Sequence, residues 1–167
     1  MKKRTLPKAS KAAQSGVHTN TDMLSTLAFI AASIAPVPES WVDGVEHIES
    51  SGRGASTPSG DHGRANGPFQ FWYATWMDCS DIRRQAGLKT YPYKMANDPV
   101  IARQYAQTWL AYLRSRVSRR LGRPANAGET WLAFNMGMAG FGSYGYNMNK
   151  VPDAKFMKAH HLNLSVR

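Results

Sequence analysis

The sequence predicts a mainly α-helical fold with a small, irregular β element. Apolar residues recur at helical spacing in several segments. A stretch rich in glycine and polar residues, 51–67, interrupts them and cannot continue a helix. Hydrophobic residues make up 43% of the chain and charged residues 19%, which is the balance of a globular protein. A chain of 167 residues is long enough for one domain with a core, plus a tail.

The N-terminal residues 1–22 are predicted to form a flexible basic tail. They hold five of the 21 lysines and arginines and almost no apolar residues. Only Asp22 among the 11 acidic residues belongs to the tail, so 16 basic and 10 acidic residues remain from residue 23 onward. The formal net charge of +10 attracts polyanions such as nucleic acid, anionic lipid or bacterial envelope polymers.

Residues 23–36 form an apolar segment with two open interpretations. The run MLSTLAFIAASIA is shorter than the roughly 20 residues that a membrane-spanning helix needs. The basic start and the small residues before Pro36 fit an export signal. Thr21 or Asp22 could instead cap a packed helix. The main domain is predicted to cover residues 37–167.

The first helix of this domain ends beside an acid. Pro38 suits a helix start, and Trp41, Val45 and Ile48 form one buried stripe at i, i+4 and i+7 until the helix stops near Gly52. Glu49 comes directly after Ile48, near the C-terminus of this helix. There the partial negative charge of the helix end and burial both raise the pKa of a carboxyl group. A glutamic acid that stays protonated suits a general acid. The alternative is a surface glutamate paired with an arginine.

The glycine-rich stretch 51–67 is predicted to be a loop or a small hairpin, and it contains a second acid. Asp61 could face Glu49 across a cleft, or it could be an ordinary turn residue. After the loop, FQFWY at 69–73 has strand character. The segment TWMDCSDIRRQAGL at 75–88 is helical and is expected to end at Gly87.

A long central helix is predicted to start at Asp98, the N-cap, and Pro99, the first helical residue. Apolar residues continue at helical spacing for about six turns, until Gly122 and Pro124 end the helix. Its last turns are rich in arginine, which suits a helix C-terminus. The apolar stripe consists of Ile101, Tyr105, Trp109, Tyr112, Leu113, Val117 and Leu121, and the arginines are Arg114, Arg116, Arg119, Arg120 and Arg123.

The remaining C-terminal pattern indicates a short helix and a glycine-rich turn. Trp131, Phe134 and Met138 mark the helix, and GMAGFGSYG at 137–145 is the turn that leads to Tyr146. Cys79 is the only cysteine, so no disulfide can form within the chain. The five histidines lack metal-ligand spacing and no phosphate-binding loop is present, so no cofactor is expected.

Several motifs resemble those of known cell-wall enzymes in sequence order. HIESSG followed by GPFQFWYATWMDCS resembles the invertebrate-type (destabilase-like) lysozymes. AFNMGMAG at 133–140 is similar both to a stretch of those lysozymes and to the AYNAG motif of lytic transglycosylases. GYNMNKV at 145–151 is similar to the tyrosine-containing segment that closes the site in both families. The resemblance covers residues 41–151.

The resemblance implies a lysozyme-like fold and roles for individual residues. Glu49 corresponds to the general acid and Asp61 to the second carboxylate. Ser50 follows the acid, as in the Glu-Ser pair of lytic transglycosylases. Gln70 matches the glutamine of the GPYQ or GLMQ motif, and Asn135 matches the asparagine of the third motif. Each side-chain amide offers a donor and an acceptor to an acetamido group, although either could instead hold a loop backbone.

Aromatic residues complete the predicted cleft. Tyr146 matches the tyrosine of the cleft, but it needs one inserted residue to align, which leaves Tyr144 as a rival. Phe69, Trp72 and Tyr73 offer apolar ring faces of the kind on which sugars stack, although aromatic residues at such positions lie more often in the core.

The activity implied is cleavage of the β-1,4 bond between N-acetylmuramic acid and N-acetylglucosamine in peptidoglycan. A second carboxylate opposite Glu49 predicts hydrolysis. A single acid predicts a lytic transglycosylase that forms 1,6-anhydromuramic acid. A third alternative is a non-enzymatic basic virion or nucleic-acid-binding protein on the same fold, based on the arginine run and the basic tail. No zinc-finger, RNA-recognition or helix-turn-helix motif accompanies that charge.

The expected partners follow from the implied activity. They are peptidoglycan glycan strands and anionic envelope polymers, and no specific nucleic acid is expected. We expect a monomer that acts outside the cytoplasm: in the periplasm, after secretion or on a virion. The lysozymes it resembles are rich in disulfides, so this chain would be a disulfide-free member from a bacterium or a bacteriophage.

Overall fold

The computed structural model describes residues 36–166, which form a mainly helical fold with one two-stranded antiparallel sheet. The predicted fold class is therefore confirmed. The basic tail and residues 23–35 of the apolar segment lie outside the described residues. The elements are α1 (Glu39–Ser50), β1 (Ala65–Asn66), β2 (Phe71–Trp72), α2 (Tyr73–Gln85), α3 (Pro99–Leu121), α4 (Ala127–Gly142) and α5 (Asp153–Ser165). Within residues 36–166, no helix combines the length and the hydropathy that a membrane span requires.

Helix α3 is the central helix, and it begins and ends where the sequence predicts. The Asp98 side chain accepts hydrogen bonds from the N–H groups of Val100 and Ile101 at 2.9 and 3.0 Å. Pro99 occupies the first turn, and Gly122 ends the helix in the left-handed conformation at φ 66°. These cap signals are local, so no tertiary contact was needed to predict the helix.

The largest side chains of the core are aromatic, and they come from α2, α3, α4 and the hairpin region. Trp76 and Tyr105 stack with their ring centroids 3.6 Å apart, and both are fully buried. Phe71 packs edge-on against Trp76 at 5.4 Å and against Phe134 at 5.6 Å. Strand β2 is thus anchored to the helical core by Phe71, while the neighbouring Trp72 faces outward.

The β element is a short hairpin fixed by one tyrosine. Ala65 pairs with Trp72, and Asn66 pairs with Phe71. The Tyr93 hydroxyl accepts a hydrogen bond from Asn66 Nδ2 and donates one to the Phe71 carbonyl, both at 2.8 Å. The strand predicted at 69–73 is shorter than expected, because a turn with a hydrogen bond from the Gln70 N–H to the Gly67 carbonyl at 3.0 Å precedes it and α2 already begins at Tyr73.

Helix α4 is longer than the sequence predicts. A capping box between Asn126 and Glu129 fixes its start, and the helix continues to Gly142. The predicted turn at 137–145 is therefore wrong in extent, although the helix is kinked at Gly137, which has φ 73° and ψ 162°. Helix α5, which the sequence analysis did not predict, packs against α4 and α1.

Candidate active site

A polar cavity of about 360 Å³ lies where the end of α1 meets the hairpin, α4 and the start of α5. We call it the acid cavity. It brings together residues from six separate parts of the chain. Its lining consists of Glu49, Asp61, Ala65, Gln70, Phe71, Trp72, Thr75, Phe134, Asn135 and Lys155. Four sequence-predicted site residues, Glu49, Asp61, Gln70 and Asn135, therefore share one cavity.

Glu49 is the partly buried acid of this cavity, and two side chains of α4 hold its carboxyl group. The indole N–H of Trp131 donates to Glu49 Oε1 at 2.8 Å, and the Asn135 side-chain amide donates to the same oxygen at 3.2 Å. Trp131 and Asn135 are four residues apart and hence on one face of α4. Glu49 is thus not a surface glutamate paired with an arginine.

The environment of Glu49 favours its protonated form. Burial raises the pKa of the Glu49 carboxyl. The hydrogen bonds from Trp131 and Asn135 and the positive charges of Lys158 and Lys155 lower it, but they offset only part of the rise. The raised pKa is the electrostatic property that a general acid requires.

Lys155 fixes the orientation of the Asn135 amide. Its ammonium group, which can only donate, contacts the Asn135 side-chain oxygen. The amide nitrogen of Asn135 is thereby directed at Glu49 Oε1. Lys155 lies in the first turn of α5. It therefore acts on Glu49 in two ways: through its positive charge and through the orientation of Asn135.

Replacing Lys155 with methionine is expected to raise the pKa of Glu49 further. The substitution removes a nearby positive charge and leaves the Asn135 amide free to turn its oxygen toward the acid. The measurement is a titration of the Glu49 side-chain carbon by ¹³C NMR in both proteins. Lys150→Met is the control, because Lys150 is exposed and lies outside the acid cavity. An unchanged Glu49 pKa in the Lys155 variant would contradict this role.

Asp61 lies at the rim of the acid cavity. Its side chain is 38% exposed and pairs with Arg64 at 3.1 Å. Its backbone adopts the left-handed conformation at φ 49°, which is uncommon for a residue other than glycine. Asp61 therefore borders the same cavity as Glu49, but its carboxylate is solvated and engaged by a cation.

Gln70 uses its amide to hold the loop. Its Nε2 donates to the Gly67 carbonyl at 2.9 Å and to the Pro58 carbonyl at 3.3 Å. Its oxygen lies against Gly60, where an added Cβ would approach to 2.2 Å. Gln70 also has a left-handed backbone, with φ 49°. The amide donors thus shape the cavity wall, which agrees with the loop-holding alternative for this residue.

The structure corrects two of the predicted substrate contacts. Phe69 is 0% exposed and packs in the core beside Phe71, so it presents no ring face to a sugar. Trp72, three residues further on, is 44% exposed and lines the acid cavity. Ser50 is 1% exposed and does not line this cavity, so direct contact with a substrate is not available to its side chain.

Neither tyrosine of the GYNMNKV region lines the acid cavity. The Tyr146 hydroxyl donates to the Met138 carbonyl at 3.2 Å, and its ring packs edge-on against Phe141 at 5.4 Å. Tyr144 is half-buried against the core. In this arrangement Tyr146 supports the part of α4 that follows the kink, and a role in the cleft stays a prediction.

Two contributors to the site, Trp131 and Lys155, were missed as site residues by the sequence analysis. Trp131 could have been found, because it precedes Asn135 by four residues on the same helical face. No local signal marks Lys155, which reaches the site only through the packing of α5 on α4. Among residues 36–166 no cluster of histidine, cysteine, aspartate or glutamate could hold a metal ion.

Comparisons of the chain with protein-family models, with curated proteins and with solved structures found no match.

Proposed function

We propose that this protein is a glycosidase that cleaves the β-1,4 bond between N-acetylmuramic acid and N-acetylglucosamine, with Glu49 as the general acid. The observation that carries the proposal is the Glu49 carboxyl group, whose pKa is raised by burial at the wall of an open polar cavity. The motif resemblance to lysozymes and lytic transglycosylases supplies the substrate class.

The hydrogen bonds of Glu49 favour one oxygen as the proton donor. Trp131 and Asn135 both donate to Oε1, and no residue from 36 to 166 donates to Oε2. In a protonated carboxyl group the oxygen that accepts hydrogen bonds is the carbonyl oxygen, and the other carries the proton. Oε2 is thus the atom that would transfer a proton to the glycosidic oxygen as the bond to the anomeric carbon breaks.

The same contacts support the carboxylate that remains after proton transfer. Trp131 and Asn135 can strengthen their hydrogen bonds to the anion, and Lys155 and Lys158 add positive charge. A general acid must later act as a base, so an environment that tolerates both forms is required. Asn135 and Trp72, which line the cavity, would meet the acetamido group and the ring face of a bound sugar.

The position of Asp61 favours a lytic transglycosylase as the second candidate. Its exposed carboxylate is engaged by Arg64, which leaves Glu49 as the one partly buried carboxyl in the lining of the acid cavity. In the single-acid reaction the Glu49 carboxylate would take the proton from the 6-hydroxyl of the muramyl residue. The 6-oxygen would then bond to the anomeric carbon, so that no water is consumed.

Product analysis tests the proposed function and separates its two forms. Purified peptidoglycan is digested with the protein, and the soluble fragments are identified by mass spectrometry. Hydrolysis gives reducing muramic acid ends, whereas transglycosylation gives 1,6-anhydro ends that are lighter by one water. The proposal predicts soluble fragments of one of these kinds. Intact peptidoglycan after prolonged digestion by folded protein would overturn it.

A further inference from the structure

A second cavity of about 540 Å³ continues the groove beyond the acid cavity. The two cavities share Trp72, Thr75, Phe134 and Asn135 in their linings. We call the second one the aromatic cavity, and its distinctive residues are Trp109, Tyr112 and Arg116 of α3 and Asp78 of α2. A ligand that contacts Asn135 in the acid cavity therefore lies next to this second space.

One face of α3 gives the aromatic cavity an apolar wall with a cation at its end. Trp109 and Tyr112 are half-buried and stack with ring centroids 5.2 Å apart. The guanidinium group of Arg116 lies 5.7 Å from the Tyr112 ring centroid, and Arg116 is exposed. The three residues have the spacing i, i+3 and i+7, which places them on one side of the helix.

The aromatic cavity also contains an acid, Asp78, and its negative charge does not neutralise the positive charge of Arg116. Asp78 is exposed on α2, and within residues 36–166 it forms no ion pair with Arg116. A cavity with an apolar wall, a cation and a separate anion complements a ligand with aliphatic groups, a carboxylate and an amine. A glycan without acidic substituents, such as chitin, is uncharged and uses only the apolar wall, and a muramyl residue without its peptide offers a carboxylate but no amine and no aliphatic side chains.

We propose that the aromatic cavity binds the peptide stem that the muramyl residue carries. This inference rests on the proposed function. Arg116 would bind a stem carboxylate with a charge-assisted hydrogen bond, Asp78 would bind a stem amine, and the Trp109–Tyr112 pair would contact the aliphatic side chains. The groove would then distinguish peptide-bearing peptidoglycan from uncharged polysaccharides such as chitin and from peptidoglycan stripped of its peptides.

The experiment compares two substrates with the same glycan backbone: one carries the stem peptides, and the other carries only the lactyl carboxylates that remain when the stems are removed. Glycan strands of peptidoglycan are used either intact or after an amidase has removed the stems, and kcat/KM is measured for each. The wild-type protein is expected to prefer the peptide-bearing strands. In Arg116→Gln the ratio of the two kcat/KM values is expected to fall by about tenfold, as for loss of one hydrogen bond to a charged group. Asp78→Asn is expected to lower the same ratio.

Arg120→Gln is the matched control, because it removes the same charge from the same helix outside both cavities. Its ratio should equal that of the wild type. If the wild type cleaves both substrates equally, or if Arg116→Gln and Asp78→Asn keep the wild-type ratio, the peptide site is refuted and the proposed function stands. If the folded wild type cleaves neither substrate, both are refuted.

Discussion

Replacing Glu49 with glutamine is expected to lower the rate of peptidoglycan cleavage by about 10²- to 10⁴-fold, the contribution typical of a general acid. Glutamine keeps the shape of the side chain and can accept the hydrogen bonds of Trp131 and Asn135. It has no proton to give to a leaving oxygen. The measurement is the initial rate at which soluble fragments are released from purified peptidoglycan.

Glu46→Gln is the control for this substitution, since it lies three residues earlier on the same helix and outside the acid cavity. Its carboxylate is 3.5 Å from Arg103, a pair worth about 0 to 1 kcal/mol. The control should cleave at nearly the wild-type rate. Equal cleavage by the Glu49 variant would remove this residue from the mechanism.

Replacing Gly67 with alanine is expected to destabilise the protein by about 3 kcal/mol, which is the sum of two penalties. Gly67 has φ 73°, a left-handed conformation that costs a residue with a Cβ roughly 1 to 2 kcal/mol. An added Cβ would also approach the Ala96 carbonyl oxygen to 1.7 Å, so the backbone must shift, at about 1 to 3 kcal/mol. Urea unfolding of both proteins measures the difference.

Gly63→Ala separates the two contributions. Gly63 has φ 86°, but no atom lies within 4 Å of the position that its Cβ would take. The control should therefore be destabilised only by the conformational part, about 1 to 2 kcal/mol. Equal loss of stability in the two variants would contradict the role assigned to the contact between Gly67 and Ala96.

Gly67 connects the stability of the hairpin with the geometry of the acid cavity. Its carbonyl accepts a hydrogen bond from the side-chain amide of Gln70 at 2.9 Å, and Gln70 in turn lies in the cavity wall.

Three sequence-predicted site residues have left-handed backbones: Asp61, Gln70 and Tyr146. Such conformations are retained only where the surrounding contacts enforce them, and they are common at functional sites.

The parts of the fold that depend on local signals could be predicted from the sequence. The cap at Asp98 and the glycine at 122 fixed the limits of the long helix. The position of Glu49 at the end of α1 and its raised pKa were also predictable, because a stripe of apolar residues leads directly to it. The desolvation that dominates its pKa, however, comes from packing that only the structure describes.

The features that depend on tertiary contacts could not be predicted. Phe69 and Trp72 look alike as aromatic candidates, and only the tertiary structure decides that Phe69 packs in the core beside Phe71 while Trp72, paired with Ala65, is exposed. A glycine-rich pattern from 137 onward predicted a turn, yet packing against the rest of the fold keeps α4 helical on both sides of Gly137. Lys155 joins the site from a helix with no motif of its own.

The most direct test of the central claim is to compare the pH dependence of cleavage with the titration of Glu49 in the same buffer. The kcat/KM for peptidoglycan fragments and the ¹³C resonance of the Glu49 carboxyl carbon are measured over the same pH range. A general acid with a raised pKa predicts that the rate declines on the alkaline side at the pH where this carbon titrates, above the ordinary range of glutamate. A Glu49 carboxyl that titrates at or below that range, or a rate that does not follow it, would contradict the account.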